Sequence, residues 1–584
     1  MTRDTTATSR RTWGLLALVL LVTAAIYSTS VRFTAVNYDD PIYVLYVYKR
    51  AADGLGLDDL GNLLIDIVNA NWHPVTLVSF YLDYYVHGLS AGGMHLHNGL
   101  LHVLNTFLVF LLVRRLVPGR DFVHLFTATL FALHPVNVGA VGWIAERKGL
   151  LSATFAFLSM LQYLRYRERG QRGALAASIV LFTLSVLSKA TSVVLPVALI
   201  LVDWYRYGDP LVPRRRADLA RALRNKWIYF AIALVVGLLT VRAHGMSGAL
   251  STTDVMTLYV RIGNFLLSLP AYFRMLLLPK DFAFYYPFVR DPALLPVAAS
   301  ALFMVAVTVA AIAVRRRFPH LLFAVLWMLI WLAPLSGIVK SGPHFLADRY
   351  MYIAALGLFI AMAHGLDMLR HLGRRRLAQA VGLAFAAVIS VVTAIHLQFW
   401  RSPISLYTHA LDITGPNVHA ESNLATYYAR FGDTERALKH FRNLIGYARY
   451  SFPTYKILGE VLVNQGHHEA AEEVVEAGLE VYPGDPRLLA IKSEVLRATG
   501  RTEEAIALCR QALQQHPDME IFAVQLGRLH AARGERQLAA AYYEQALALN
   551  PEHRWARRYL EDLQKDAPPD GGPPATAEET GPRP

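Results

Sequence analysis

Eleven apolar stretches, each near the length a helix needs to cross a bilayer, constrain this chain more than any other feature. They fall near 13–30, 97–113, 122–142, 149–164, 174–188, 190–204, 227–243, 292–314, 320–338, 350–369 and 379–397. A helix rising about 1.5 Å per residue needs roughly 20 apolar residues to span the hydrocarbon core. No water is available there for backbone polar groups, so the expected structure is a helical membrane domain over residues 1–400. At 54% hydrophobic over 584 residues, the chain is too apolar for one soluble domain and too long for one core.

Charge gives the spans a direction. The net charge of +13 lies largely in Arg clusters between apolar stretches: "RYRERGQR" at 165–172, "RRR" at 214–216 and 315–317, and "GRRR" at 373–376. Positive-inside loop charge accounts for these clusters, and no nucleic-acid partner is expected. With Arg10, Arg11, Arg114, Arg115 and the clusters on the cytoplasmic side, eleven spans alternate if residues 244–291 begin and end outside. The N-terminus is then cytoplasmic and the C-terminus extracytoplasmic, as for a bacterial inner-membrane protein. The first stretch reads as an uncleaved span, being long for a signal peptide and lacking a small-x-small cleavage site. The segment 261–278, with two internal Arg and a Pro, reads as an interfacial or re-entrant helix.

Past residue 400 the pattern changes. Gly432, Gly466, Gly500 and Gly534 recur every 34 residues, and Ala437, Ala471, Ala505 and Ala539 keep step. Pro483, Pro517 and Pro551 close three of the four units. This is the helix–turn–helix period of the tetratricopeptide repeat (TPR), expected here as an α-solenoid of about four units over 401–565. Such a solenoid binds partner proteins or peptides and carries no chemistry itself. Cys509, the single cysteine, excludes an intramolecular disulfide and falls on a core-facing position. The tail 566–584 is disordered by composition. The fold class is thus all-α, a polytopic membrane domain followed by a TPR solenoid.

The loops assigned outside hold most of the unusual polar residues of the membrane half. The stretch "NYDDP" places Asp39 and Asp40 side by side at the end of the first span. A carboxylate flanked by another is raised and a nearby cation restores it, which is the tuning a catalytic base needs. Arg147, Lys148, Lys189 and Arg349 are cations at the outer interface, where the positive-inside rule disfavours them. Together they point to an anionic, lipid-linked ligand, which Arg engages bidentately. His73, His95, His97, His134, Glu146, Tyr285, Tyr286, His344 and Asp348 complete the expected cavity. His95-x-His97 and His134 raise the question of a metal, but no HExxH or two-His-plus-carboxylate helix spacing is apparent, so no metal site is assigned. With no Walker A loop, dinucleotide fingerprint or GxSxG, neither ATP coupling nor serine-hydrolase chemistry has support.

The ordered motifs "NYDDP", "NWHPVTLVSFYLDYYVHGLSAGGMHLHNGLLHVLN", "LFALHPVNVGAVGWIAERKGLLS", "LSKATSVVLPVALILVDW", "FAFYYP" and "ADRYMYIAALG" resemble the bacterial relatives of the transmembrane-and-TPR (TMTC) mannosyltransferases. Those belong with the protein O-mannosyltransferases in the GT-C superfamily, so the resemblance implies a GT-C membrane domain. It also implies an inverting transferase using a polyprenyl-phosphate-linked sugar and a hydroxyl acceptor, with its site on the extracytoplasmic face. Asp39 would be the general base with Asp40 beside it, and Arg147, Lys148, Lys189 and Arg349 the phosphate binders. Two positions depart from the family's pattern: Gly139 replaces the acid of HPV-x-x-E, and Gly149 replaces the Asp of "RKD". The rival expectations are a lipid-linked oligosaccharide ligase or polymerase and a non-catalytic TPR scaffold. A large late loop would favour the ligase, but 339–349 is short.

Overall fold

The computed structural model describes residues 9–51, 61–63, 65–69, 71–208, 220, 223–246, 257–337, 344–449 and 451–565. The expected disordered tail 566–584 and loop residues 339–343 lie outside the described residues. All eleven apolar stretches lie mainly in helices, with 122–142 broken at His134 and residue 338 outside the described residues. Length and composition qualify six as membrane spans: Arg10–Arg32, Ala91–Leu116, Ala190–Tyr207, Leu294–Ala313, Asp348–His371 and Arg375–Arg401. A seventh arises if the bent pair Asp121–Leu133 and Pro135–Val141 is one span. Arg172–Ser188, Trp227–Ala243 and Pro319–Leu335 are shorter apolar helices. Of residues 261–278, all but the C-cap Leu278 fall in one helix, Leu258–Leu277, with Pro270 inside it.

The 51° bend occurs at His134–Pro135, where proline offers no N–H to continue the helix. Carbonyls freed at the break find other donors. Asn137 Nδ2 donates to Phe131 O at 2.7 Å and Thr393 Oγ1 to Leu133 O at 2.6 Å. This is how a broken helix is tolerated inside a membrane unit.

Small polar residues fasten the neighbouring helices. Arg147–Arg169 packs on Arg172–Ser188 through reciprocal bonds, Ser159 Oγ to Ser178 O and Ser178 Oγ to Ser159 O, both 2.7 Å. Ser152 and Ser185 repeat the arrangement, at 3.0 and 2.7 Å. Serines allow close backbone approach and add bonds that apolar packing in lipid does not supply. On the other face, Asn105 of Ala91–Leu116 reaches Leu150 O at 3.1 Å and accepts from Thr154 Oγ1 at 2.7 Å. A two-stranded antiparallel ribbon pairs Tyr286–Pro287 with His344–Leu346.

The chain divides into two compact units between Asn417 and Val418, rather than at residue 400. The helix Pro403–Thr414 therefore goes with the first unit. The Tyr407 ring lies 5.1 Å from that of Phe284, and His409 Nε2 is 3.0 Å from Phe282 O.

The second unit is built of helix pairs. Val418–Arg430 pairs with Thr434–Tyr447, Phe452–Asn464 with His468–Val481, Pro486–Ala498 with Thr502–Gln515, and Glu520–Ala532 with Arg536–Leu549. The helix Arg554–Lys565 follows. Gly432, Gly466, Gly500 and Gly534 turn each pair with φ of 78°, 78°, 80° and 75°, a region that side chains disfavour. Ala437, Ala471, Ala505 and Ala539 are fully buried at the helix crossings. Cys509 is buried beside Ser493 Oγ at 2.8 Å, so packing accounts for it.

Candidate active site

Asp39 and Asp40 stand where the chain enters the helix Asp40–Ala51, and their carboxylates part there. Asp40 is fully buried. Its Oδ2 accepts the Val36 amide at 2.8 Å and its Oδ1 the Ala145 amide at 2.9 Å. Burial raises its carboxyl to about 7, against the two amides, which pull it down. Asp40 is therefore a clamp joining two backbone segments, not a second catalytic carboxylate. Asp39 accepts the Ile42 amide with its carbonyl at 3.0 Å, and its Oδ2 lies 3.7 Å from Lys148 Nζ.

Three cations gather around that carboxylate and one other. Lys189 Nζ contacts Glu146 Oε1, and Arg349 Nε lies 3.7 Å from Glu146 Oε2. Burial raises the Glu146 carboxyl, yet Lys189, Lys148 and Arg349 outweigh it and hold the group below its ordinary value. Burial pulls Lys189 down despite Glu146, and the neighbouring cations add to the effect. Lys148, Lys189 and Arg349 thus face Asp39 and Glu146, which leaves an excess of positive charge in a mostly buried place. Aromatic faces line it. Lys148 Nζ is 5.4 Å from the Tyr43 ring and 5.9 Å from that of Trp143, and the Arg349 guanidinium lies 5.0 Å over Trp143. The Tyr38 ring is 5.8 Å from Trp143 and 5.9 Å from Phe284.

His73 belongs with this group. It precedes the helix Pro74–His87, 5.4 Å from the Tyr43 ring, with a buried Nε2 that has no hydrogen-bond partner among the described residues. Burial first, then Lys148 and Lys189, lower it to about 3, so the imidazole is neutral at physiological pH.

Other expected residues lie apart. Arg147 needs the clearest correction, because its guanidinium is already spent. Nε donates to Asn98 Oδ1 at 2.9 Å, Nη2 to Met94 O at 2.8 Å and Nη1 to Asp83. The group also lies 4.6 Å over the Phe80 ring. Arg147 and Asp83 are both about 2% exposed, so this is a buried structural pair rather than a phosphate-binding site. His134 is committed too, its Nδ1 accepting the Val136 amide at 3.2 Å and its Nε2 lying 3.1 Å from Leu276 O.

His95 is buried edge-on to Phe33, and His97 faces Asp83 at 2.5 Å. Tyr286 donates to Asp348 Oδ1 at 2.8 Å while accepting the Ala283 amide at 2.7 Å, so the two hold each other. Tyr285 is buried beside Phe284, with its carbonyl 3.3 Å from Asn417 Nδ2. His344 is in the ribbon, and its side chain lies outside what is described. The aromatic lining of Tyr38, Tyr43 and Trp143 was not singled out from the sequence. Its signal is adjacency, since Tyr38 and Trp143 flank the "DD" and "ERK" motifs.

The two positions where an acid gives way to glycine differ in surroundings. A Cβ on Gly149 would stand 2.5 Å from Glu146 Oε1 and 3.5 Å from Lys189 Nζ, so the bare position gives Glu146 its room. A Cβ on Gly139 meets only ordinary contacts, with Trp400 at 3.5 Å and Asp348 Cβ at 3.9 Å.

Known proteins resemble both units. Tetratricopeptide-repeat family models match residues 458–520 and 496–556. The Drosophila melanogaster protein O-mannosyl-transferase Tmtc1 is 36% identical over 146 residues, 25% of this chain and 17% of that protein. The Mus musculus protein O-mannosyl-transferase TMTC3 is 22% identical over 534 residues, 82% of this chain and 57% of that protein. The Caenorhabditis elegans protein O-mannosyl-transferase F38B6.6 is 22% identical, over 70% of this chain and 57% of that protein. This chain thus spans between 17% and 57% of the length of these curated relatives. Among solved structures, ArnT from Cupriavidus metallidurans bound to undecaprenyl phosphate aligns at 15% identity and a TM-score of 0.34. That alignment covers 86% of this chain and 80% of ArnT, and at this TM-score it speaks for neither fold nor function. The chain is TMTC-like, a helical membrane unit with a C-terminal TPR unit.

Proposed function

We propose that this TMTC-like chain is an inverting GT-C glycosyltransferase of the extracytoplasmic face. It moves mannose or another hexose from a polyprenyl-phosphate carrier to a hydroxyl of a protein or peptide. The observation that carries the reading is the Asp39 carboxylate 3.7 Å from Lys148, in a mostly buried group where three cations outnumber two carboxylates. A phosphate monoanion or diester fits that excess of charge, and the aromatic faces of Tyr38, Tyr43 and Trp143 fit a sugar ring or prenyl chain.

The chemistry follows from these groups. Asp39 takes the proton of the acceptor hydroxyl as its oxygen attacks the anomeric carbon. The bond from that carbon to the phosphate oxygen breaks, and the lipid phosphate leaves with the electron pair. Phosphate needs no proton to depart, so one base suffices, unlike the two carboxylates of glycoside hydrolysis. Lys148, Lys189 and Arg349 stabilise the charge that develops on the leaving group. Attack opposite the departing phosphate inverts the anomeric centre. Asp40 positions Asp39 through its bonds to Val36 and Ala145. The TPR unit is the proposed grip for the protein acceptor, with the N-terminus cytoplasmic and the TPR unit outside.

The test is transfer by the full chain in vesicles, with polyprenyl-phosphate mannose as donor and peptides as acceptors. Asp39→Asn should lower kcat by about 10²–10⁴-fold, the usual worth of general base catalysis. Transfer at the wild-type rate by Asp39→Asn would remove the base. An unchanged glycan profile of envelope proteins in cells lacking the chain would favour a TPR scaffold.

A further inference from the structure

We propose that Asp83, His87 and His97 bind one divalent transition-metal ion of the zinc class, in a site separate from the Asp39 group. Asp83 and His87 lie four residues apart on one face of the helix Pro74–His87. Gly88 and Leu89 follow with φ of 64° and 62°, and Ser90 caps the next helix by accepting the Gly93 amide at 3.2 Å. That tight turn folds the early turns of Ala91–Leu116 back against the first helix and places His97 over the Asp83–His87 face. Asp83 Oδ1 is 2.5 Å from His97 Nδ1 and 3.8 Å from His87 Nε2, and the three ligating atoms lie within 4.8 Å of one another. Tetrahedral donors about 2.0–2.2 Å from a shared zinc ion stand roughly 3.3–3.6 Å apart, so the ion would part His97 from Asp83 and draw in His87 by small side-chain shifts.

Three further observations separate this cluster from a simple His–Asp pair. His87 Nε2 is buried and has no hydrogen-bond partner among the described residues, an unusual state for a ring nitrogen directed at a carboxylate. The other side of each ligand is supported as metal ligands are: Ser90 Oγ lies 3.4 Å from His87 Nδ1, and Arg147 holds the second oxygen of Asp83. Gly93 is bare where a Cβ would stand 2.5 Å from the His87 ring, so the ring is seated against backbone. Two imidazoles and one carboxylate suit zinc and its neighbours, whereas magnesium and calcium prefer all-oxygen sites. The half-buried His87 and His97 leave the fourth position to water.

The ion would join the end of one helix to the second turn of the next. Through Asp83 it would also hold Arg147, whose neighbour Lys148 faces Asp39. This makes the site a positioning device that does not depend on the transferase reading.

The experiment is metal content. The full chain, purified in detergent, is stripped with a chelator, re-equilibrated with zinc and passed through a desalting column. One equivalent should remain on the wild type and on His371→Ala, an exposed control. It should be lost from His87→Ala and from His97→Ala, with no displacement by excess magnesium or calcium. X-ray absorption at the zinc edge of the wild type needs no variant and should show two imidazoles with oxygen ligands. No retained zinc would overturn the proposal. So would retention unaffected by both substitutions, or a shell of oxygen alone or of more than two imidazoles.

Discussion

Arg147 and Lys148 are adjacent cations that the structure sends to different tasks, and substitution separates them. Arg147→Met keeps an apolar stem but removes the guanidinium over Phe80 and its three bonds, leaving the buried carboxylate of Asp83 with only the His97 and His87 rings beside it. Breaking one partner of a buried ion pair costs about 3–5 kcal/mol, because the other charge is left uncompensated. Asp83 and Arg147 are both about 2% exposed, so that range applies with little screening. The assay is unfolding of the detergent-solubilised chain by denaturant, after chelation so that metal does not obscure the comparison. Arg147→Met should lose about 3–5 kcal/mol, while the folded fraction keeps its KM for the lipid donor. Arg147→Met with Asp83→Leu should recover much of the loss, since a well-packed apolar pair replaces a buried ion pair at little cost. Lys148→Ala should show the reverse, with stability near wild type and transfer sharply reduced. An unchanged unfolding midpoint with a raised donor KM in Arg147→Met would refute this division and return Arg147 to the phosphate.

Three other outcomes follow from the same contacts. The Asp40 carboxyl is raised from 3.8 to about 7, so the folded chain holds its proton more tightly than the unfolded one. Its contribution to stability is then full below about pH 4 and declines as pH rises towards 7. Asp40→Asn should abolish that slope, measured as unfolding midpoint against pH, and should lower stability overall because one backbone amide would face an NH₂ group; an unaltered slope would contradict it. Gly149→Asp should dislodge Glu146 from Lys189, the added Cβ standing 2.5 Å from Glu146 Oε1. A raised donor KM would report this, and unchanged kinetics would show that Glu146 is not needed. Gly527→Ala would bring a Cβ within 2.4 Å of the buried Tyr543 ring. Overpacking there should cost about 1–3 kcal/mol, read as faster hydrogen exchange in Glu520–Ala532 and Arg536–Leu549; exchange at the wild-type rate would count against it.

The sequence is legible where the signal is periodic. Gly432, Gly466, Gly500 and Gly534 mark a repeat because each makes the same left-handed turn. The apolar stretches mark helices because a bilayer permits little else. It is much less legible where neighbouring residues diverge. Consecutive positions on a helix point roughly 100° apart, so "RK" offers two candidates and only the fold shows that Arg147 faces Asp83 while Lys148 faces Asp39. The same holds for Asp39 and Asp40, where the backbone amides of Val36 and Ala145 take the second acid. His134 reads from the sequence as a cavity residue, but at the proline break its Nδ1 accepts the Val136 amide while its Nε2 faces Leu276 O of another helix. The cluster of Asp83, His87 and His97 escaped notice because its third ligand comes from the next helix. The spacing of Asp83 and His87 alone does not distinguish a ligand pair from an ordinary helix face.

Arg349 reaches Glu146 from far along the chain, and this fixes when the site comes into being during synthesis. Lys189 follows Glu146 closely, so the first pair can form early on a nascent chain. Arg349 is translated about 8–32 seconds after Lys189 at a rate of about 5–20 residues per second. Until the helix Met351–His371 has been made, Glu146 has one fewer cation to answer it. The charge balance around Glu146 is thus completed only as the membrane unit nears its end.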